Sequence, residues 1–287
     1  MAHPQIAAFA RLAKENSQPT RVLAGQTTLL SRTMHDIRYD AIHDEIFVNN
    51  PFAQAILVFR GSAQGEEPPI RIIQGPNTRL EGQVDRLDVD PVHNEIYIPD
   101  HEKILVFPRD GNGDVAPIRI ITGPDTQLND VESLAVDPIN NVIVAAGARP
   151  PTAPGQTRGQ VGQSDQGEGG ALLIFKRTDS GNVKPSGVIQ GPKTRIVRIN
   201  QIQIQPTKGW IVAAQPGKYE EQEPEGVFVG VWSINDSGDV PPRWFIGGPK
   251  SQIKKPRGIA LNSRNKELIV ADMRLNMVLT YYFPEIF

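Results

Sequence analysis

One phrase recurs at nearly regular intervals along this chain of 287 residues, and it limits the fold more than any other feature. The anchor G-x-x-[TS]-x-[LI] begins at Gly25, Gly75, Gly123, Gly191 and Gly248, with spacings of 50, 48, 68 and 57 residues. A recurring period of this length is typical of repeat proteins in which each copy is one supersecondary unit. The sequence therefore predicts five equivalent units.

Two segments with the composition of strands follow each anchor. The first alternates apolar and polar residues, as in "RLDVD" (86–90) and "SLAVD" (133–137). This period of two is the pattern of a half-buried strand. The second segment is β-branched or aromatic, as in "EIYIP" (95–99), which is again typical of strands.

A third strand follows, and the residues behind it keep a strict spacing. In four units it ends in an aromatic residue: Phe59, Phe107, Phe175 and Trp232. A glycine comes six residues later and a proline ten residues later in all four. The glycine permits a turn with positive φ, and the proline suits the start of an edge strand. A fourth strand, such as "IRIIQG", then leads to the next anchor.

Four antiparallel strands in about 50 residues match one blade of a β-propeller. We predict an all-β propeller of five four-stranded blades over residues 19–287, with six blades as the alternative. The last unit ends at Phe287, directly after its third strand, whereas "TRVLAG" (20–25) stands before the first anchor. We therefore expect residues 21–25 to form the outer strand of the blade built from 256–283. Such ring closure would leave no open sheet edge.

Three segments depart from the repeat. In residues 1–18, Ile6, Phe9, Ala10 and Ala13 share one helical face, which predicts a short N-terminal helix that caps the ring. Two insertions, 147–170 and 215–226, lie between second and third strands and are rich in Gly, Pro, Gln and charge. We interpret them as tolerated surface loops, with a lid or recognition loop as the alternative.

The segment "KPRGIALNSRNKELIVADMRLNMVLTYY" (255–282) resembles an NHL repeat. It has a Pro-x-Gly-Ile-Ala lead, a second strand ending in Val-Ala-Asp, and a third strand. The phrase "ILVFPRDGNGDVAPIRIITGPDTQL" is similar to the longer repeats of bacterial, often exported, NHL-like propellers. The resemblance implies a propeller fold and does not specify a function, since propellers host many chemistries.

Composition excludes several classes of function. The net charge is −2, so a surface that follows nucleic-acid phosphates is not expected. No apolar run approaches the roughly 18 residues of a membrane span, and no signal peptide is visible. The chain has no cysteine, which removes disulfides, thiol catalysis and cysteine-based zinc sites. A chain without thiols suits an oxidising space and is also possible in the cytosol, so the lack of cysteine does not settle the compartment. A periplasmic or secreted location is slightly favoured over the cytoplasm.

Superposing the five units places polar residues at two equivalent positions. The first, at the start of the innermost strand, is occupied by His35, Asp85, Glu132, Asn200 and Arg257. The second, at the end of the second strand, is assigned to Asn50, Asp100, Ala146, Ala214 and Asp272. Ring closure would turn these positions into circles around a channel mouth. We predict a ligand-binding mouth formed by His35, Asp85, Asp100, Glu132, Asn200, Arg257 and Asp272.

No motif identifies a catalytic residue. The chain contains no phosphate loop, G-x-S-x-G, H-E-x-x-H or EF-hand pattern. His43 and His93 occupy equivalent turns between first and second strands, and we interpret them as turn residues.

The leading functional hypothesis is a non-enzymatic binding or scaffold propeller that recognises a protein, peptide or glycan on its channel face. It needs no cofactor. The alternative is a calcium-assisted hydrolase or lyase of the gluconolactonase-like or paraoxonase-like kind, in which Asp85, Glu132, Asn200 and Asp272 would supply carboxylate and amide oxygens. We expect Arg257 to pair with Asp85, Glu132 or Asp272, because an arginine there repels a cation. The oligomeric state is left open.

Overall fold

The computed structural model describes residues 4–32, 34, 36–82, 86–147, 170–217 and 226–287. These residues form strands, turns and 3-10 helices of three residues, and none of them is in an α-helix. The chain divides into two compact units: Met1–Ile96 with Phe107–Ile118, and Tyr97–Val106 with Arg119–Phe287. Within the described ranges, no helix has the length and apolar character needed to cross a membrane.

The strands follow the order that the repeat predicts. The first two are β1 (Gln5–Ala8) and β2 (Arg21–Ala24). Blade one contains β3 (Ile37–Asp40), β4 (Glu45–Asn50), β5 (Ala55–Arg60) and β6 (Arg71–Gln74). Blade two contains β7 (Asp88–Asp90), β8 (Glu95–Asp100), β9 (Lys103–Pro108) and β10 (Arg119–Thr122). Blade three contains β11 (Ser133–Asp137), β12 (Val142–Gly147), β13 (Ala171–Lys176) and β14 (Gly187–Ile189). Blade four contains β15 (Gln201–Gln205), β16 (Trp210–Pro216), β17 (Val227–Ser233) and β18 (Trp244–Gly247), and blade five contains β19 (Pro256–Asn262), β20 (Glu267–Asp272) and β21 (Met277–Tyr282).

Each blade is a separate antiparallel sheet in which neighbouring strands are consecutive in the chain. Blades one to four have four strands each, and the sheet of blade five has three. This strand order confirms the prediction of an all-β propeller with five blades.

Strands β1 and β2 form a further sheet of two strands. Ile6 lies opposite Leu23, as Ile56 lies opposite Ile73 in the third and fourth strands of blade one. Both pairs are seventeen residues apart. The two strands are therefore a partial copy of the repeat that contains only a third and a fourth strand.

This pairing corrects the prediction of an N-terminal helix, which is wrong. The sequence did contain the necessary signal, because Phe9 is followed ten residues later by Pro19, the spacing seen behind Phe59. Glu15 occupies the turn position that is glycine in the other copies, and its φ is 48°. A non-glycine residue in this left-handed region is uncommon, and that one exception hid the repeat.

The same pairing corrects the predicted ring closure. Residues 21–24 pair with β1 and not with the last blade, whose sheet is limited to β19, β20 and β21. The prediction failed because β1 supplies a third strand of its own, which satisfies one edge of β2. The other edge of β2 forms a parallel bridge from Leu23 to Gly65 in blade one.

The repeated anchor is a 3-10 turn held by its own threonine. At Gly123 the backbone has φ 123° and ψ 166°, a conformation accessible essentially to glycine alone. The Thr126 hydroxyl donates to the Gly123 carbonyl at 2.6 Å and accepts from the Leu128 amide at 3.2 Å. The anchor therefore folds locally, which explains why its residue types recur.

Alternate residues of each strand form two faces, seen most clearly in blade four. Its forward face, toward blade five, includes Val212, Ala214, Val229 and Val231. Its rear face, toward blade three, includes Ile211, Ala213, Phe228 and Trp232. The hydrophobic core around blade four thus lies between consecutive blades. The same alternation defines the forward and rear faces of the other blades.

An ion cluster lies between blades one and two. The Glu45 carboxylate accepts from Arg71 at 2.7 and 2.8 Å and from Arg109 at 2.5 Å. Burial alone would raise the pKa of Glu45, but the hydrogen bonds and charges of Arg71 and Arg109 outweigh it and lower that pKa below 4.5. The folded state thus binds a proton on Glu45 less readily than the unfolded chain does.

Aromatic packing replaces this ion cluster between blades four and five. Trp210 and Trp244 occupy the positions of Glu45 and Arg71, with ring centroids 5.3 Å apart at 84°. Phe283 replaces Arg109, because each donates its backbone N–H at 2.9 Å to the same turn position, Lys266 and Asn94 respectively. The same three positions between neighbouring blades therefore hold charged side chains in one pair of blades and aromatic side chains in another.

The Glu45 cluster predicts an acid-dependent loss of stability. A depressed carboxyl pKa adds stability above the unfolded pKa, and this stability is lost as pH falls through the folded pKa. We expect Glu45→Gln to lower the free energy of unfolding by about 2 kcal/mol at neutral pH. The difference from wild type should shrink as pH falls below 4.5. Urea unfolding of both proteins across this range would test it, and a difference that stays constant with pH would contradict it.

Candidate functional site

The first predicted ring position is described in blades three, four and five, where Glu132, Asn200 and Arg257 stand just before or at the start of the innermost strand. His35 and Asp85 lie outside the described residues. The Asn200 amide N–H donates to the Ala214 carbonyl at 2.9 Å, and Asn200 is buried. The equivalence of these positions, which was inferred from the repeat, agrees with the strand pairing of Leu134, Ile202 and Ile259.

Glu132 is paired with an arginine that the sequence did not single out. Arg198 donates to both oxygens of Glu132, with distances of 2.8 to 3.2 Å. The sequence predicts Glu132 as one of three possible ion-pair partners of Arg257. Arg198 lies two residues before Asn200, so the pair links the starts of two consecutive inner strands. A bidentate pair of this kind fixes geometry as well as charge.

The position one residue later connects successive blades. The Ser133 hydroxyl accepts from the Ile202 amide at 3.2 Å, and an Asp36 carboxylate oxygen accepts from the Leu87 amide at 3.2 Å. The Gln201 side-chain oxygen accepts from the Ile259 amide at 2.5 Å. The sequence alone does not single out this position, although Asp36, Ser133 and Gln201 all have side chains that can accept a hydrogen bond. These residues hold neighbouring inner strands together.

Between blades one and two, the corresponding residues form a buried ion network. Arg38 donates to Asp88 at 2.9 Å and to Asp36 at 2.8 Å. Its side chain is 11% exposed. Burial by itself lowers the pKa of Arg38, but the charges and hydrogen bonds of Asp36 and Asp88 outweigh it and raise that pKa above the ordinary value of an arginine. The guanidinium therefore stays charged and joins blades one and two.

At the second ring position, the residues predicted for blades three and four lie one residue before the residues that the strand pairing places there. The backbone pairing makes Gly147 and Gln215, and not Ala146 and Ala214, equivalent to Asp272. The Gln215 side chain accepts from the Val197 amide at 2.7 Å and donates to the Arg195 carbonyl at 2.9 Å. It holds the segment that arrives from the preceding blade.

Asp272 performs the same task with a carboxylate. One oxygen accepts from the amides of Lys254 and Lys255 at 2.7 and 2.8 Å. The other accepts from the amides of Arg274 and Leu275 at 3.0 and 3.1 Å. Four backbone donors therefore surround this carboxylate, which explains why an acid stands there.

Asp100 is buried at the end of β8. Its oxygens lie 3.6 Å from the Lys103 ammonium and 3.8 Å from the His101 ring. The basic side chains of His101 and Lys103 thus lie next to the Asp100 carboxylate.

Two of the four residues predicted as calcium ligands, Glu132 and Asp272, already have hydrogen-bond partners. Calcium takes six to eight oxygen ligands. Asp272 is engaged by four amides, and Glu132 is engaged by Arg198. Asp85, the remaining acid of the predicted set, is outside the described residues.

His43 and His93 are turn residues, as predicted. Each ring nitrogen lies 2.7 Å from an aspartate three residues earlier, Asp40 or Asp90. Blade three has Asn140 and Asp137 in the same arrangement at 2.7 Å. A residue that asparagine replaces in an equivalent turn has a structural role.

A group of basic residues stands out at one end of blades four and five, the end at which the second strand leads to the third. We call it the basic cluster; it consists of Arg195, Arg198, Lys254, Lys255, Arg257 and Arg274. The Arg195 guanidinium lies over the rings of Phe228 and Phe245, 5.1 and 5.0 Å from their centroids. Arg195, Lys254 and Arg274 are exposed. Glu132 pairs with Arg198 of this cluster, and Asp272 accepts from backbone amides.

Comparison with known proteins supports the fold alone. No protein-family model matches the chain, and no curated protein matches it in sequence. The structure is similar to Kuenenia stuttgartiensis hydrazine synthase, with a TM-score of 0.56 and 10% sequence identity over 83% of this chain. The chain spans about 55% of that protein's length. At this identity the likeness supports a propeller and carries no activity across.

Proposed function

We propose that this protein is a non-enzymatic binding propeller that recognises an acidic segment of another polypeptide. The observation that carries the proposal is the basic cluster at the loop end of blades four and five. Carboxylates of a partner would meet several cations there, because Asp272 is already hydrogen-bonded to backbone amides and Glu132 pairs with only one member of the cluster, Arg198, among the contacts of the described residues.

Arg195 is the best prepared member of the cluster for such a ligand. Its guanidinium is stacked on Phe228 and Phe245, and the planar guanidinium matches the geometry of a carboxylate. Holding the side chain in place before binding reduces the conformational entropy lost on binding. Phe245 is 51% exposed, so it offers apolar contact beside the charge.

Two further assignments belong to this proposal. The convergence of Asp100, Glu132, Asn200, Arg257 and Asp272 on one mouth with His35 and Asp85 stays a prediction. A relationship to NHL-repeat propellers is supported by the 255–282 segment, whose Pro256–Asn262 lead and Val-Ala-Asp ending coincide with β19 and β20. Calcium-assisted catalysis has less support, because Glu132 and Asp272, two of its four predicted ligands, are already hydrogen-bonded.

Fluorescence anisotropy with a labelled polyglutamate peptide tests the proposal. We expect binding that weakens as salt rises, since screening acts over about 8 Å at physiological ionic strength. Lys254→Glu with Lys255→Glu should weaken it at least about tenfold by charge repulsion. Lys208→Glu is the matched control, because Lys208 is exposed in the turn between β15 and β16, at the opposite ends of the strands.

A second probe and a second variant make the result specific. A sulfated glycan is titrated in parallel, and binding of the glycan alone would contradict a polypeptide partner. The segment 218–225 contains four glutamates, so the titration is repeated with these residues changed to glutamine. If neither form of the protein binds polyglutamate, or if both charge variants behave alike, the basic cluster is not the site.

A further inference from the structure

The sheet of blade five lacks the strand that lies outermost in the other blades. Blades one to four each pair a third strand with a fourth, whereas the sheet of blade five is limited to β19, β20 and β21. Among the described residues, the outer edge of β21 therefore has no neighbouring strand. Blades four and five belong to one compact unit, so this edge is defined without reference to the other unit.

Backbone groups of β21 point to this edge at alternate residues. The Phe283 amide donates to the Lys266 carbonyl at 2.9 Å, on the side of β20. The pairing of β20 with β21 continues from there without a register shift. By alternation, the amides and carbonyls of Val278, Thr280 and Tyr282 point away from β20, toward the outer edge.

Three other blades show what these groups bind when a fourth strand is present. The carbonyl equivalent to that of Thr280 accepts from an amide of the arriving fourth strand at 2.7 to 2.8 Å. The strand pairing identifies these carbonyls as those of Val58, Ile174 and Val231. Without such a strand, β21 presents a row of unpaired donors and acceptors, which is a template for an added strand.

The fourth strands of the chain also define which side chains suit this edge. The residue opposite the position of Val278 is isoleucine in all four blades: Ile73, Ile121, Ile189 and Ile246. The residue before it, opposite the position of Leu279, is also apolar: Ile72, Ile120, Val188 and Phe245. A glycine stands two residues after each isoleucine. The chain thus specifies the pattern apolar–Ile–x–Gly for a strand at this position.

The side of β21 that faces blade four is only partly covered. Met277 is 53% exposed, whereas the equivalent residues of blades one, three and four are at most 5% exposed: Ala55, Ala171 and Phe228. Leu279 is partly buried at the border of the apolar cluster between blades four and five. The leucines equivalent to it are at most 2% exposed: Leu57, Leu105 and Leu173. An added strand would continue this established interface at its outer margin.

We propose that the outer edge of β21 binds an extended segment of another polypeptide, which adds the fourth strand to blade five. The segment runs antiparallel to β21 and has the pattern apolar–Ile–x–Gly. Its isoleucine lies opposite Val278, and the apolar residue before it lies opposite Leu279. Backbone hydrogen bonds supply the affinity, and the two apolar side chains supply the specificity. The segment needs no acidic residue, so this binding is separate from the proposed function.

Fluorescence anisotropy with a labelled peptide of residues 68–76, PPIRIIQGP, tests the proposal on the full chain. We expect saturable binding that slows hydrogen exchange in residues 277–282. The peptide contains no acid, so attraction to the basic cluster would not hold it. Absence of binding, or slower exchange in another blade only, would overturn the proposal and leave the polyglutamate titration unaffected.

Two methylated peptides distinguish strand pairing from apolar adhesion. In blade one the Ile72 amide donates to the Asn112 side chain at 3.1 Å, away from β5. By alternation, the Ile73 amide faces β5. A methyl group on the Ile73 amide should therefore weaken binding about tenfold, whereas the same group on the Ile72 amide should have a much smaller effect. Equal effects of the two methyl groups would contradict pairing with β21.

Two substitutions at Thr280 test the edge from the side of the protein. Thr280→Pro removes an amide that points away from β20, and edge strands tolerate proline at such positions. It should abolish peptide binding, whereas Thr280→Val keeps the amide and should bind normally. If Thr280→Pro fails to fold in a urea titration, the methylated peptides decide. Light scattering of the wild type covers the remaining occupant, a second copy. A dimer of twice 31.5 kDa that Thr280→Pro converts to single copies would overturn the proposal.

Discussion

Replacing Arg38 with leucine should lower the free energy of unfolding by about 3–5 kcal/mol, the cost of breaking a buried ion pair from one side. The substitution removes the guanidinium that contacts Asp36 and Asp88 at 2.8 and 2.9 Å. The side chains of both acids are at most 14% exposed. Two carboxylates would then remain desolvated next to each other. Urea unfolding at neutral pH measures the effect.

The matched control is Arg60→Leu. Arg60 pairs with Glu67, but its side chain is 59% exposed, and exposed ion pairs contribute about 0–1 kcal/mol. We expect the Arg60 variant to stay within about 1 kcal/mol of wild type. A further variant, Arg38→Leu with Asp88→Leu, should recover part of the loss, because it also removes one of the two buried acids that Arg38 contacts. Equal effects of Arg38→Leu and Arg60→Leu would show that the buried network contributes little.

The sequence predicts the blades because each copy contains the turn residues and the strand pattern that determine its own local structure. Gly123, Thr126 and Leu128 form one turn with hydrogen bonds of 2.6 and 3.2 Å, and no distant residue is needed. Period-two alternation then assigns the strands, and a fixed distance to the next proline assigns the fourth strand. Such local features survive even where the insertions 147–170 and 215–226 interrupt a copy.

The sequence fails where a position is decided by tertiary packing. Residues 5–8 match a helical face and a third strand equally well, and their pairing with residues 21–24 decides between the two. Asp272 looks like a ligand in the sequence, yet four amides from the flanking segments fill its oxygens. Arg198 carries no motif, and only the fold brings it to Glu132. Polarity at a repeated position therefore indicates unsatisfied backbone as readily as it indicates a ligand.

Gly75→Ala should lower the free energy of unfolding by about 3 kcal/mol. Gly75 has φ 140° and ψ 170°, and a conformation of this kind costs other residues about 1–3 kcal/mol. An added Cβ would lie 2.4 Å from the Asp114 carboxyl carbon. Asp114 would have to move, although it accepts from the Asn77 amide at 2.7 Å and from the Asn77 side chain at 2.9 Å.

A second glycine separates the two contributions. Gly113 has φ 76°, and nothing lies within 4 Å of an added Cβ. Gly113→Ala therefore incurs only the conformational cost, about 1–2 kcal/mol. Thermal or urea unfolding of the two variants under the same conditions gives the comparison. Equal destabilisation by both would contradict a role for the Asp114 contact.

A double-mutant cycle with Asp114→Ala identifies what the contact does. Alone, Asp114→Ala should lose about 1 kcal/mol, because Asn77 then lacks its acceptor. In the Gly75→Ala background the same change should be neutral or stabilising, since it removes the atoms that the new Cβ meets. The two effects would then differ in sign or size by more than about 0.5 kcal/mol. Simple additivity would mean that the side chain swings away at no cost and that the Gly75 requirement is set by backbone conformation alone. A strong coupling would instead show that Gly75 and Asp114 act as one unit, as the same contact of Gly191 with Asp239 indicates for a later repeat.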